Sequence, residues 1–282
     1  MATRYIKKYA DETAIHTAVD NQELLNPYVA YDESAGTIDW NSYIYIEPLT
    51  FEITSAGTIN VPTGTTYSID GGEWENTGTT LTVSGGESIT FKGNNASYYN
   101  NTFSGSTATF NIKGNIMSLI DSTGFNTATT LTNNNYQCFY SLFRGCKVVD
   151  ASKLILPATT LAGSCYDSMF YDCKILTAAP ELPATTLADY CYRYMFSYCS
   201  SLTTAPELPA QTLTRNCYFY MFQFCGKLNY IKCLATDISA FYCTRGWVTL
   251  IASTGTFVKN PDMNDWTTGN DGIPNGWTVE EV

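Results

Sequence analysis

Ten cysteines, one histidine and two repeat-related glutamates are where chemistry would first be sought in this 282-residue chain. Five cysteines lead a repeat, Cys138, Cys165, Cys191, Cys217 and Cys243, at spacings of 27, 26, 26 and 26 residues. Cys146, Cys173, Cys199 and Cys225 follow eight residues after the first four. Zinc sites use close Cys or His pairs, which a C-x7-C spacing with His16 alone does not supply. A thiolate or serine nucleophile needs a base, and no histidine accompanies the cysteines. Eight residues of helix rise about 12 Å, beyond the Cα separation of about 7 Å that a disulfide tolerates. Between neighbouring repeats, helix axes about 8–10 Å apart would allow a disulfide ladder only with distortion. The thiols are therefore expected to be free, buried and used as small apolar groups, which suits a reducing compartment. Glu181 and Glu207 occupy the same repeat position. They would stand about 5 Å apart, the carboxyl spacing of a retaining glycosidase. Repetition alone explains that proximity, and Ile155 and Cys233 replace them in the flanking repeats. No catalytic residue, metal or cofactor is assigned, and the chain is expected not to be an enzyme.

The cysteines belong to the segments CFYSLFRGC, CYDSMFYDC, CYRYMFSYC and CYFYMFQFC, beginning at 138, 165, 191 and 217. Cys, an aromatic, Met or Leu, Phe and Cys recur at offsets 0, 1, 4, 5 and 8. At helical periodicity these fall within one stripe about 140° wide, which predicts a short helix buried on that side. The expected repeat core is Cys138, Cys146, Cys165, Met169, Phe170, Cys173, Cys191, Met195, Phe196, Cys199, Cys217, Met221, Phe222 and Cys225. The variable offsets fall outside, carrying Tyr140, Tyr171, Arg193, Tyr194, Tyr198, Phe219, Tyr220 and Phe224. These aromatics on adjacent coils are the candidate ligand-binding surface, with inter-coil packing or an oligomer interface as the alternatives. After each second cysteine, the prolines of APELPA (179–184 and 205–210) predict a short strand running into an extended corner.

Stepping outward, four regions differ in texture. Residues 1–42 are too short for a core and are read as a docking arm, with a hairpin at 27–40. Residues 43–135 hold alternating runs rich in Thr, Val, Ile and Phe, such as TFEIT, TINV, TTLTV, SITFK and ATFNIK. They predict a small antiparallel β-sandwich followed by a connector. The regular repeat at 136–243 predicts a solenoid, and 244–282 its C-terminal cap. The fold expected is mixed α+β: arm, sandwich, solenoid of strand-turn-helix coils, and cap.

Charged residues make up only 15% of the chain, and the net charge is −11. Basic clusters are lacking, which argues against nucleic acid. No apolar run approaches the roughly 18 residues of a membrane span. Asp11 and Glu12 interrupt the stretch where a secretory signal would need an apolar core, so no export signal is expected.

The repeat MFxxCxxLTxAPELPATTL, with Cys-Tyr ahead of it, resembles the BspA-type leucine-rich repeat over residues 136 to about 243. WVTLIASTGTFVKNPDMNDWTTGNDGIPNGWTV (247–279) is similar to the cap of such arrays in Bacteroides and their phages. ITFKGNNASYYNNTFSGSTATFNIKGNIMSL (89–119) is similar to the β-domain often placed before them. RYIKKYADETA (4–14) is similar to leaders of structural proteins in crAss-like phages. The resemblance implies a non-enzymatic head or tail fibre or decoration protein of a phage virion, assembled in the host cytoplasm. It would be anchored to capsid or tail proteins through residues 1–42 and form a homo-oligomer. Its repeats would meet a host-surface glycan or protein. The alternative is an exported Bacteroides cell-surface adhesin. The fifth coil, GKLNYIKCLATDISAFYC (226–243), loses both prolines and gains Cys233, a departure expected at the transition to the cap.

Overall fold

The computed structural model describes residues 47–76 and 80–282, together with the backbone of three N-terminal strands. Those strands, β1 (Ile6–Lys7), β2 (Tyr28–Asp32) and β3 (Thr37–Ile44), form an antiparallel sheet in the order β1-β3-β2. β2 and β3 pair where the sequence suggests a hairpin; its turn and the rest of the expected docking arm lie outside the described residues.

Seven strands follow: β4 (Thr50–Ser55), β5 (Gly57–Asn60), β6 (Thr65–Ile69), β7 (Glu75–Asn76), β8 (Thr80–Val83), β9 (Ser88–Gly93) and β10 (Thr109–Asn115). In β9 and β10 buried and half-buried residues alternate, which places Ile89, Phe91, Phe110 and Ile112 on one face. β10-β4-β9-β6-β7 run antiparallel, while β5 and β8 pair separately. β10 then pairs in parallel with two strands from the first repeat, β11 (Lys147–Val148) and β12 (Lys153–Ile155). The cores are continuous across this seam. Phe51 stacks on Phe110 at 4.3 Å and meets Phe143 of the first repeat at 5.9 Å. At the far end β13 (Tyr230–Cys233), β14 (Thr256–Lys259) and β15 (Thr278–Glu281) make a parallel sheet. Trp247 lies between Tyr218 and Trp266, with ring centroids at 6.1 and 5.6 Å.

The mixed α+β expectation is overturned. With 27% strand and 3% helix, no helix of seven or more residues and no solenoid closure, the fold is nearly all β. The Cys-to-Cys segments, expected as helices, are ribbons of overlapping turns. In the second repeat the N–H groups of Cys165, Asp167, Met169, Tyr171 and Cys173 each donate to the carbonyl three residues earlier. The alternate N–H groups, those of Ser164, Tyr166, Ser168, Phe170 and Asp172, donate to Asp189, Cys191, Arg193, Met195 and Ser197 of the next repeat at 2.7–3.0 Å. The same pattern links the first repeat to the second, the third to the fourth and the fourth to the fifth. Every ribbon amide in the first four repeats is thereby paired, half locally and half along the stack.

This geometry requires a left-handed residue at every fourth position. Positive φ occurs at offsets −1, 3 and 7 in all five repeats. Examples are Ser164, Ser168 and Asp172 in the second repeat and Tyr190, Tyr194 and Tyr198 in the third, with φ from 53° to 65°. A left-handed L-residue costs about 1–2 kcal/mol. One inter-repeat hydrogen bond, worth about 1 kcal/mol net, offsets much of that. Stacked aromatic columns add to it: Phe143, Phe170, Phe196 and Phe222 lie 5.3–5.8 Å apart, and Phe139, Tyr166, Tyr192 and Tyr218 lie 5.6–6.2 Å apart.

The expected strand of each coil is also reduced in the middle repeats. There the chain joins its neighbours through isolated bridges, such as Asp150 to Ala178 just before the first APELPA tail and Leu208 to Cys233 within the second. Pro180, Pro183, Pro206 and Pro209 contribute no N–H to a ladder, so continuous pairing cannot form.

Candidate recognition face of the turn ribbon

All fourteen residues expected in the repeat core are buried. The ten cysteines are free and buried. The thiols of Cys173, Cys199 and Cys225 donate to the carbonyls of Phe143, Phe170 and Phe196 in the preceding repeats at 3.0–3.1 Å, a recurring bond that packing alone would not require. Burial pushes the Cys146, Cys225 and Cys233 thiols up to about 12, so they stay protonated and poorly nucleophilic near neutrality. Glu181 and Glu207 are exposed on the proline side, and Glu207 pairs with Lys232 at 3.0 Å. Among the described residues no group of three or more His, Cys, Asp and Glu is placed to hold a metal ion. No helix among them is long and apolar enough to cross a membrane.

On the outward side of the ribbon, Tyr171, Arg193, Tyr194, Tyr198, Phe219, Tyr220 and Phe224 are all half-buried. Tyr194 stacks on Tyr220 at 5.5 Å and Tyr198 on Phe224 at 4.4 Å. Tyr171 meets Tyr198 at 5.4 Å and Tyr194 at 6.3 Å, while Phe219 stands edge-on to both Tyr194 and Tyr220. The candidate residues thus form one contiguous cluster. Tyr140 lies apart from the tyrosine stacks, against Tyr99 at 5.1 Å. The two stacked pairs each cover one ring face with the neighbouring repeat's ring.

Sequence reasoning missed half of this surface. Counting each repeat from its first cysteine left out the two preceding columns, which hold Tyr190, Arg215, Phe241 and Tyr242. These residues join the face through Arg215, 5.7 Å from the ring centroids of both Tyr190 and Phe241, and through contact of Phe219 with Tyr242. Arg144 over Tyr171 and Arg245 over Tyr242, at 4.6 and 4.3 Å, were likewise not singled out. The available signal was the recurrence of arginine at ribbon offsets −2, 2 and 6, always beside a tyrosine or phenylalanine column.

One buried ion pair interrupts the aromatic pattern. The Arg193 Nε and a terminal guanidinium nitrogen both donate to Asp167 Oδ2 at 2.7 Å, and Ser168 donates to Oδ1 at 2.8 Å. Burial raises the Asp167 carboxyl above its usual range, with Arg193 and Ser168 pulling the other way. This pair ties the second repeat to the third at a single register, since no other pair of neighbouring repeats matches Asp with Arg at this offset.

No family model matches this chain, and no curated protein or solved structure matches it, so nothing in these comparisons identifies a BspA-type repeat protein.

Proposed function

We propose that the chain is a non-enzymatic recognition protein whose turn-ribbon face binds a host-cell surface glycan. The setting proposed is the one implied by the repeat's resemblance, a phage virion anchored through the N-terminal arm. The observation that carries the reading is the contiguous, half-buried surface of tyrosines, phenylalanines and arginines held on a hydrogen-bonded stack. Such a surface presents fixed hydroxyl and guanidinium donors and is pre-organised, so little ordering entropy is lost on binding. Tyrosine supplies an apolar body with a polar tip, the usual character of recognition surfaces.

The test is adsorption of the purified protein to host cells and to a glycan array, using the double variant Tyr194→Ser, Tyr220→Ser. Binding by the parent protein and its loss in a variant with an unchanged circular-dichroism spectrum is the expected result. Equal adsorption by both proteins would refute the proposal.

A further inference from the structure

Resting on that recognition reading, we infer that the glycan taken by this face is acidic, its carboxylates held by arginines placed over aromatic rings. All four arginines among the described residues, Arg144, Arg193, Arg215 and Arg245, lie on the turn ribbon, in a chain whose net charge is −11. Each guanidinium sits over an aromatic ring at 4.3–5.7 Å. Arg193 is spent on Asp167; the other three have no ion-pair partner among the described residues. Arg144, Arg215 and Arg245 therefore keep guanidinium N–H groups available, and that rigid fork matches a carboxylate.

The aromatic rings support the same charge class. Several ring faces are covered by a neighbouring ring or guanidinium group, as in Tyr194 on Tyr220 and Arg144 over Tyr171. An acceptor-rich anionic chain meets guanidinium and tyrosine hydroxyl donors on this face. Two of the carboxylates on this face are already engaged. Asp167 is buried with Arg193. Asp172 faces Lys174 at 3.4 Å, and Asp189 is exposed in the edge column that holds Arg215. The stacked face rings Tyr194 and Tyr220 stand 5.5 Å apart, and Tyr198 and Phe224 4.4 Å apart, so neighbouring repeats present their groups side by side.

The experiment is calorimetric titration of the full chain with oligogalacturonate, alginate and hyaluronate oligosaccharides. Methyl-esterified oligogalacturonate serves as the neutral counterpart and dextran sulfate as an unrelated polyanion. At least one uronate is expected to bind at least ten times more tightly than the methyl ester, and more weakly as salt is raised. Arg215→Gln and Arg245→Gln should each weaken uronate binding about tenfold, the scale of one charge-assisted hydrogen bond, and weaken ester binding by less. Arg215→Lys and Arg245→Lys should fall between, because the charge remains and the fork is lost. Equal binding of the ester, dextran sulfate binding as tightly as any uronate, or arginine variants that bind like the parent would overturn the inference. Neutral glycans bound through Tyr194 and Tyr220, without arginine dependence, would overturn the acidic assignment and leave the recognition reading standing. A folded protein that binds no glycan would overturn both.

Discussion

Replacing Leu250 by alanine and, separately, by glycine reads the backbone of the ribbon directly. Leu250 occupies offset 7 of the fifth repeat, with φ of 58° and a side chain that is 62% exposed. The two variants share the lost leucine contacts and differ only in Cβ. In a left-handed conformation Cβ costs about 1–2 kcal/mol. Glycine's larger unfolded-state entropy returns about 0.5–1 kcal/mol of that. The glycine variant should therefore be more stable than the alanine variant by about 0.5–1 kcal/mol. The neighbouring Thr249 lies outside the positive-φ set and supplies the control. There glycine should be less stable than alanine by about 0.5–1 kcal/mol. The two sites thus differ in sign, with a gap of about 1.5 kcal/mol between them. Urea denaturation followed by tryptophan fluorescence resolves such a gap when the m-values agree. Repeating the pair at Asp172, φ 62°, extends the test to the second repeat. On a helix, glycine would lose to alanine by about 1 kcal/mol at all three sites. That uniform loss would refute the turn ribbon.

Other consequences follow from the same geometry. Gly246→Ala places a Cβ inside the Tyr220 ring at a φ of 64°. It should cost about 2–4 kcal/mol by denaturation and disturb the tyrosine stack in near-ultraviolet circular dichroism. Arg193→Met leaves the Asp167 carboxylate, 0% exposed, without its cation and should cost about 3–4 kcal/mol. Asp167→Asn leaves an arginine that is 32% exposed and should cost only about 1–2 kcal/mol; the reverse order in urea melts would contradict the assigned burial. The native protein should resist iodoacetamide at all ten cysteines, and the urea-unfolded chain should react at all ten, counted by mass spectrometry. Cys146, Cys225 and Cys233 hold their protons up to about 12 when folded, against 9.0 as the ordinary value. Above pH 9 the unfolded chain loses protons that the native state retains. The thiol contribution is thus fully present below that pH, and stability should decline as pH rises from about 9 towards 12, measured as the urea midpoint.

The sequence by itself determined which side chains are inside. Cysteine, aromatic, methionine and phenylalanine at offsets 0, 1, 4, 5 and 8 are chemically committed to burial, and the repeat length brings equivalent residues together. The strands at 50–55, 88–93 and 109–115 were also legible, because period-two alternation has no common competitor there. What the pattern did not determine was the backbone carrying the repeat side chains. Two residues in and two out is satisfied both by a helix, whose stripe gathers those offsets, and by linked turns, which reverse direction every second residue. The choice depends on where the alternate N–H groups find acceptors. Only a neighbouring repeat stacked in register supplies them, and no single segment contains that information. The candidate surface followed the same rule. The tyrosines could be named from offsets, but stacking of the rings on one another and the gathering of Arg144, Arg215 and Arg245 were decided by contacts between repeats. Tertiary structure turned an apparent row of separate rings into one packed cluster of rings and guanidinium groups, because neighbouring repeats stack in register.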